Sequence, residues 1–245
     1  MMHFDGSSSL GGLNLAGLVT DTDQVLIHFW FDPTNPDSSN QYIAANASQY
    51  LIVRIGTNNR LYLRVEDTAA AEVAVISPVQ VFTNLTGWTA VDFVVDATQG
   101  FAKVYIDGVF AAEDAALTGN GTINHDLNQY HLGARTGSSD AYTGGLAQFG
   151  YWTSFSADYV SSTGELTAKY FASVYDLDEN GDIYYKDASL ASALGVQPII
   201  LNENPFSTFE VNNGSQADFP TITGTKKPLQ SGRELPIGGW TYTAP

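Results

Sequence analysis

Hydrophobic positions in residues 1–152 fall in short runs, with turn signals recurring about every eight to twelve residues, the spacing of strands rather than helices. Gln24 to Phe31 is apolar on both parities, which predicts a central strand covered on both faces. Leu51 to Ile55 and Leu61 to Val65 alternate cleanly around Gly56-Thr57-Asn58-Asn59, a hairpin turn. On the second of these strands Leu61, Leu63 and Val65 face one way, and Arg60, Tyr62, Arg64 and Glu66 the other. Val91, Phe93 and Val95 form another inward row, opposite Asp92 and Asp96. Asp107-Gly108 lies between two apolar runs and predicts a hairpin of type I′, in which both central residues take positive φ. Tyr130 to Gly133 and Gly145 to Trp152 close the series. No helix-length period interrupts it, so the expected fold is all-β, a two-sheet antiparallel jelly-roll sandwich.

Helical signals come later. Ser162-Thr163-Gly164-Glu165 has the spacing of a capping box ahead of Leu166, Tyr170 and Val174. A second short helix is expected from about Tyr185 to Leu194, stopped by Gly195. The chain thus divides into a sandwich over 1–160, a short helical segment with a calcium-loop-like turn over 161–196, and a last part over 197–245. That last part is rich in proline and too poor in periodic apolar positions for its own core. It is expected to lay strands on the sandwich and end in an extended arm.

Composition narrows the function. Ten lysines and arginines against 26 aspartates and glutamates give a net charge of −16 in 245 residues. Such a chain repels phosphate backbones and anionic bilayers, so neither nucleic acid nor membrane insertion is expected. There is no cysteine, hence no disulfide, thiolate metal site or cysteine nucleophile. The start of the chain lacks a basic and apolar leader, which suits a cytosolic protein or one released by lysis.

The stretch Gly87 to Ala112, GWTAVDFVVDATQGFAKVYIDGVFAA, resembles the laminin-G-like and pentraxin group of concanavalin A-like folds. A Trp opens one strand, a Gly-containing turn follows, and the next strand ends in Tyr-Ile-Asp-Gly. Tyr130 to Arg135 and Tyr142 to Ala147 look like the group's next two strands, Phe4-Asp5-Gly6 and Phe29-Trp30-Phe31 like its first two. The resemblance covers about residues 1–160 and implies a fold, not a chemistry. It also implies that loops on the sandwich rim hold calcium or sugar, for which Asn124, His125, Asp126, Asp140 and Tyr142 are candidates. Pro198 to Gly224 is similar to tails that follow such domains in tailed-phage structural proteins.

The sharpest local motif is Asp176-Leu177-Asp178-Glu179-Asn180-Gly181-Asp182, reaching Asp187. Oxygen side chains at positions 1, 3 and 5, Gly at 6 and a carboxylate at 12 fit an EF-hand-type calcium loop with Asp176, Asp178, Asn180, Asp182 and Asp187 as ligands. Position 12 is Asp rather than Glu and position 9 is Tyr184; the alternative is a solvated Asp/Asn/Gly turn. Catalysis is not expected. No Glu-x-Asp-x-x-Glu run, Gly-x-Ser-x-Gly elbow, Walker A, dinucleotide or His-Glu-x-x-His motif is present. His28, within an apolar strand, reads as a hydrogen-bonded core residue, and Trp30, Trp88 and Trp152 as core.

These readings combine into a non-enzymatic structural component of a phage particle, displayed on the virion surface on head or tail. It would contact other virion proteins and further copies of itself through Ile237, Trp240 and Tyr242 in the arm. The alternative is a carbohydrate-binding or host-receptor-binding module that reads a surface glycan with calcium as a bridge; a glycan hydrolase ranks third.

Overall fold

In the computed structural model, the described residues are 2–6, 9–13, 22–34, 39–46, 50–69, 72–76, 82–83, 87–114, 117, 122–125, 130–135, 140–180, 182–186, 190–196, 198, 200–202 and 221–223. They form sixteen strands and one helix. The strands up to the helix are β1 (Met2–Asp5), β2 (Ser9–Leu13), β3 (Gln24–Pro33), β4 (Gln41–Ala45), β5 (Leu51–Ile55), β6 (Leu61–Glu66), β7 (Glu72–Ile76), β8 (Thr89–Asp96), β9 (Phe101–Ile106), β10 (Val109–Asp114), β11 (Tyr130–Leu132) and β12 (Thr143–Trp152). Helix α1 (Ala168–Val174) precedes β13 (Tyr175–Leu177), β14 (Ile183–Tyr185), β15 (Ile200–Asn202) and β16 (Thr221–Thr223).

Two antiparallel sheets face each other. The first runs β1-β12-β3-β8-β9-β10, with β15 also paired to β12; the second runs β16-β2-β11-β4-β5-β6-β7. The alternation of each strand decides what lies between them. Val25, Ile27, Phe29 and Phe31 of β3, Val91, Phe93 and Val95 of β8, and Leu61, Leu63 and Val65 of β6 all enter the inter-sheet core. The in-between residues of β3 do not meet water. Leu26 and Trp30 join a second core against residues 155–196, with Tyr170, Val174, Tyr175, Leu190 and Leu194. The molecule therefore has three layers, and β3 is apolar on both parities because both of its faces are covered. Each fully buried aromatic or branched side chain contributes about 1.5–3 kcal/mol by leaving water.

The turn chemistry follows the sequence. Asp107 and Gly108 have φ of 50° and 73°, the two positive values that a type I′ hairpin needs. In β12 the register slips between Ala147 and Gly150, where Gln148 has φ 47°. Without that bulge Leu146, Phe149 and Tyr151 would not share the inner face.

The third layer departs from expectation. The cap of α1 is Thr167, whose side chain accepts from Tyr170 N, not Ser162. Glu165 turns outward to Lys103 Nζ (2.5 Å) and Ser161 Oγ (2.8 Å), so it is not available to close a capping box. No helix spans 185–194 among the described residues. Tyr185 pairs with Tyr175 in the β13–β14 hairpin, and 191–194 form a turn that ends at Gly195 with φ 73°. Leu190 and Leu194 keep a helical spacing, yet they are buried from a turn.

Candidate functional site

The outer face of the second sheet collects side chains that strand alternation turns away from the core. On β5 these are Ile52 and Arg54, on β6 Tyr62 and Arg64, and on β11 His131. β4 contributes Tyr42 and Ala45, because its register against β5 slips between Tyr42 and Ala44 and sends both Ile43 and Ala44 inward. Tyr42, Ala45 and Ile52 form a small buried cluster with Tyr62 packed on it.

Guanidinium groups sit on this floor. Arg54 and Tyr62 are cross-strand partners, and the Arg54 guanidinium carbon lies 4.4 Å from the Tyr62 ring centre and 5.7 Å from that of Tyr42. Arg135 approaches Tyr42 from the other side, at 5.3 Å. Both arginines donate from Nη1 to the Tyr42 hydroxyl, each at 3.3 Å. Arg64 is ion-paired with Glu66. Tyr42 is buried beneath these groups, while Arg54, Tyr62, Arg64 and Arg135 remain partly exposed. Planar cations held over aromatic rings are oriented by the ring quadrupole and lose little of their hydrogen-bonding capacity. His131 adds a neutral group, since burial holds its pKa below the ordinary value. Its Nδ1 is buried without a hydrogen-bond partner.

Charge is sorted between the layers. All the arginines among the described residues, Arg54, Arg60, Arg64 and Arg135, lie on the second sheet or its adjoining turns. The described lysines, Lys103, Lys169 and Lys186, lie on β9 and in the third layer. Among the described residues, the third layer packs on the outer face of the first sheet and contributes nothing to the Tyr42–Ala45–Ile52 cluster of the second.

The described rim candidates lie at two ends of the sandwich. Asn124 N donates to Glu66 O (2.9 Å), at the end of the sheet where β6 finishes. His125 is buried beside it, with Nε2 2.8 Å from Thr22 Oγ1 and Nδ1 hydrogen-bonded to the Tyr151 hydroxyl. Asp140 lies at the opposite end of β4, where its carbonyl accepts from Tyr42 N (3.0 Å). Tyr142 is buried and donates its hydroxyl to Gly145 O (3.0 Å). Asp126 lies outside the described residues, as do Asp187, Ile237, Trp240 and Tyr242.

In the calcium-loop motif, strands rather than helices flank the turn. Asp176 stands in β13 opposite Tyr184. Asp178 Oδ1 accepts from Asn180 N (2.8 Å) and Asp182 N (2.9 Å), and Asp178 N donates to Asp182 O (3.1 Å). Among the described residues, no three histidines, aspartates or glutamates converge where a metal ion would sit. Next to this hairpin lies a groove of about 360 Å³ lined by Asp107, Val109, Phe171, Leu177 and Ile183 among others. Val109 and Leu177 of this lining are 69% and 45% exposed, and Phe110, next in sequence to Val109, is 50% exposed.

Two facing antiparallel sheets, packed through their inner faces, define a lectin-type sandwich. A family model for the concanavalin A-like lectin/glucanases superfamily matches residues 7–161, and the chain belongs to that family. The fold is similar to that of a proposed carbohydrate-binding protein from Bacteroides ovatus, with TM-score 0.59 and 14% identity over 97% of this chain. The chain spans 60% of that protein's length. It is also similar to the NanB sialidase of Streptococcus pneumoniae, with TM-score 0.50 and 15% identity over 72% of this chain and 28% of the sialidase. At these identities the likeness is one of fold. No curated protein matches the sequence.

Sequence alternation places Tyr62 and Arg64 on an outward face but does not mark Tyr42, Arg54 and Arg135. The hairpin at Gly56–Asn59 contained the missing signal, because its register sets Arg54 directly across from Tyr62.

Proposed function

We propose that the chain is a non-catalytic carbohydrate-recognition module, and that its site is the Tyr42–Arg54–Tyr62–Arg135 face of the second sheet. The observation that carries this reading is the partly exposed Arg54 guanidinium held at 4.4 Å over the partly exposed Tyr62, on the face of the second sheet turned away from the inter-sheet core. Sugars offer an apolar C–H face and a ring of hydroxyls; Tyr62 supplies a partner for the first and the guanidiniums donors for the second. The sugar-binding role proposed for the Bacteroides ovatus protein is of the same kind, and family membership supports the sandwich as its scaffold. A glycan array probed with the full chain tests the reading. Binding that Tyr62→Ala and Arg54→Ala remove, with an unchanged melting temperature, is the expected result. No signal from any glycan at high protein concentration overturns it.

A second reading, self-association or contact with other structural chains, is favoured by the exposed Val109 and Leu177 in the groove between β9–β10 and β13–β14 and by the exposed Phe110 on β10. Sedimentation should then show concentration-dependent dimers that Phe110→Asp abolishes; a monomer at all concentrations removes this reading. Placement in a phage particle draws on residues 198–224, nearly all outside the described ones, and electron microscopy of labelled particles is its test.

A further inference from the structure

We infer that the sugar read by this face carries a negative charge: an acidic glycan whose carboxylate or sulfate is taken by Arg54 with Arg135. The inference rests on the carbohydrate-recognition reading and narrows its substrate class.

The choice of cation is the first argument. A neutral sugar needs donors and acceptors, which Asn, Gln, Asp and Ser supply without bringing charge to a surface. Here the face instead gathers arginines, although the chain as a whole carries −16. The guanidinium is the side chain whose fixed fork matches a carboxylate or sulfate with two parallel hydrogen bonds.

The second argument is the state of Arg54. Among the described residues its side-chain partners are tyrosines, two rings and one hydroxyl, with no carboxylate. One of its five N–H donors reaches Tyr42, and Nε is buried without a partner. Arg54 and Arg135 also converge on one neutral phenol oxygen. Arg54 has no carboxylate counter-charge among the described residues, and an anionic ligand would supply one. In this respect Arg54 differs from Arg64, which Glu66 already neutralises.

The third argument concerns range. The overall negative charge does not forbid an anionic ligand, because at physiological salt charges beyond about 8 Å are largely screened. The nearby guanidiniums therefore decide what the face attracts. The net charge acts on approach at low salt, where it slows an anion, and contact chemistry governs once the ligand has arrived.

Calorimetry of the full chain tests this with matched pairs: sialyllactose against lactose, a glucuronate-containing oligosaccharide against its neutral analogue, and a sulfated oligosaccharide against the unsulfated one. The expected result is a preference of about tenfold or more for the acidic member of at least one pair, as charge-assisted hydrogen bonds are roughly twice as strong as neutral ones. The pair that shows it distinguishes carboxylate from sulfate. Arg54→Gln should remove the preference, and Arg54→Lys should restore only part of it, because an ammonium cannot make the bidentate contact. Arg135→Gln gives an independent check should Arg54→Gln fail to fold, and it is expected to reduce the preference too. Equal binding of acidic and neutral members overturns the inference and leaves the carbohydrate reading standing. Binding of neither overturns both.

Discussion

His28 Nδ1 lies 2.8 Å from Asp92 Oδ1, and neither side chain is exposed. The pair sits on adjacent strands of the first sheet, on the side turned to the third layer. That layer reaches it through two tyrosines: Tyr170 donates to Asp92 Oδ1 and Tyr175 to Asp92 Oδ2, each at 2.5 Å. Burial first, and the Asp92 charge after it, hold both phenols well above their ordinary pKa, so they stay donors at any working pH. One carboxylate thus fastens α1 and β13 to the sandwich. Asp92→Ala leaves three buried groups without their acceptor and should cost about 3–5 kcal/mol, read from denaturant midpoints. Tyr175→Phe removes one bond and should cost about 1–2 kcal/mol.

A second link between the layers is exposed and pH-sensitive. Hydrogen bonds, first from Lys103 and then from Thr163 and Ser161, lower the pKa of Glu165 from 4.5 to about 2. A depressed carboxyl adds stability that is fully present above the unfolded value and lost as pH falls toward the folded one. Its contribution should therefore fade between pH 4.5 and about 2. The Glu165 side chain is 55% exposed, so solvent limits the effect to about 1 kcal/mol or less. Urea titrations of Glu165→Gln should show that deficit at neutral pH and none near the lower limit.

Gly133 follows β11 with φ +81°, and a Cβ there would stand 2.2 Å from the ring of Phe4. Phe4 is itself core, 3% exposed. Gly133→Ala should cost about 2–3 kcal/mol by combining backbone strain with a clash that the packed ring cannot relieve. Thermal melts of this variant and of Gly100→Ala separate the two terms. Gly100 has nearly the same φ, +80°, but nothing within 4 Å of a Cβ.

The turn at Asp178 offers a test of the calcium expectation. Its carboxylate already accepts two backbone N–H groups of its own hairpin. The melting temperature should be the same in millimolar calcium as in chelator, and Asp178→Ala should lower it in both. A calcium-dependent rise that Asp178→Ala abolishes would instead establish the metal site.

The sandwich was legible wherever alternation ran unbroken. β3, β5, β6, β8 and the Asp107-Gly108 turn stand where their patterns put them, because each strand has one inter-sheet face and the turn chemistry admits few residues. β4 was harder to read: its bulge breaks the parity between Tyr42 and Ala44, so no simple alternation marks it. The third layer misled for a different reason. Leu190 and Leu194 repeat at helical spacing, but the cross-strand pairing of Tyr175 with Tyr185 fixes the backbone before a second helix can start. The candidate site was half visible. Tyr62 and Arg64 follow from alternation, whereas Arg135 reaches Tyr42 across 93 residues of sequence, a contact that no local pattern encodes.

The third layer seals one side of the sandwich, and the proposed sugar site lies on the other sheet. If the proposed site is the one at work, each copy offers a single handhold. Holding fast to a coated surface would then depend on how many copies point the same way and how their spacing matches that of the sugars. Linked contacts of this kind gain orders of magnitude in avidity without any new bond.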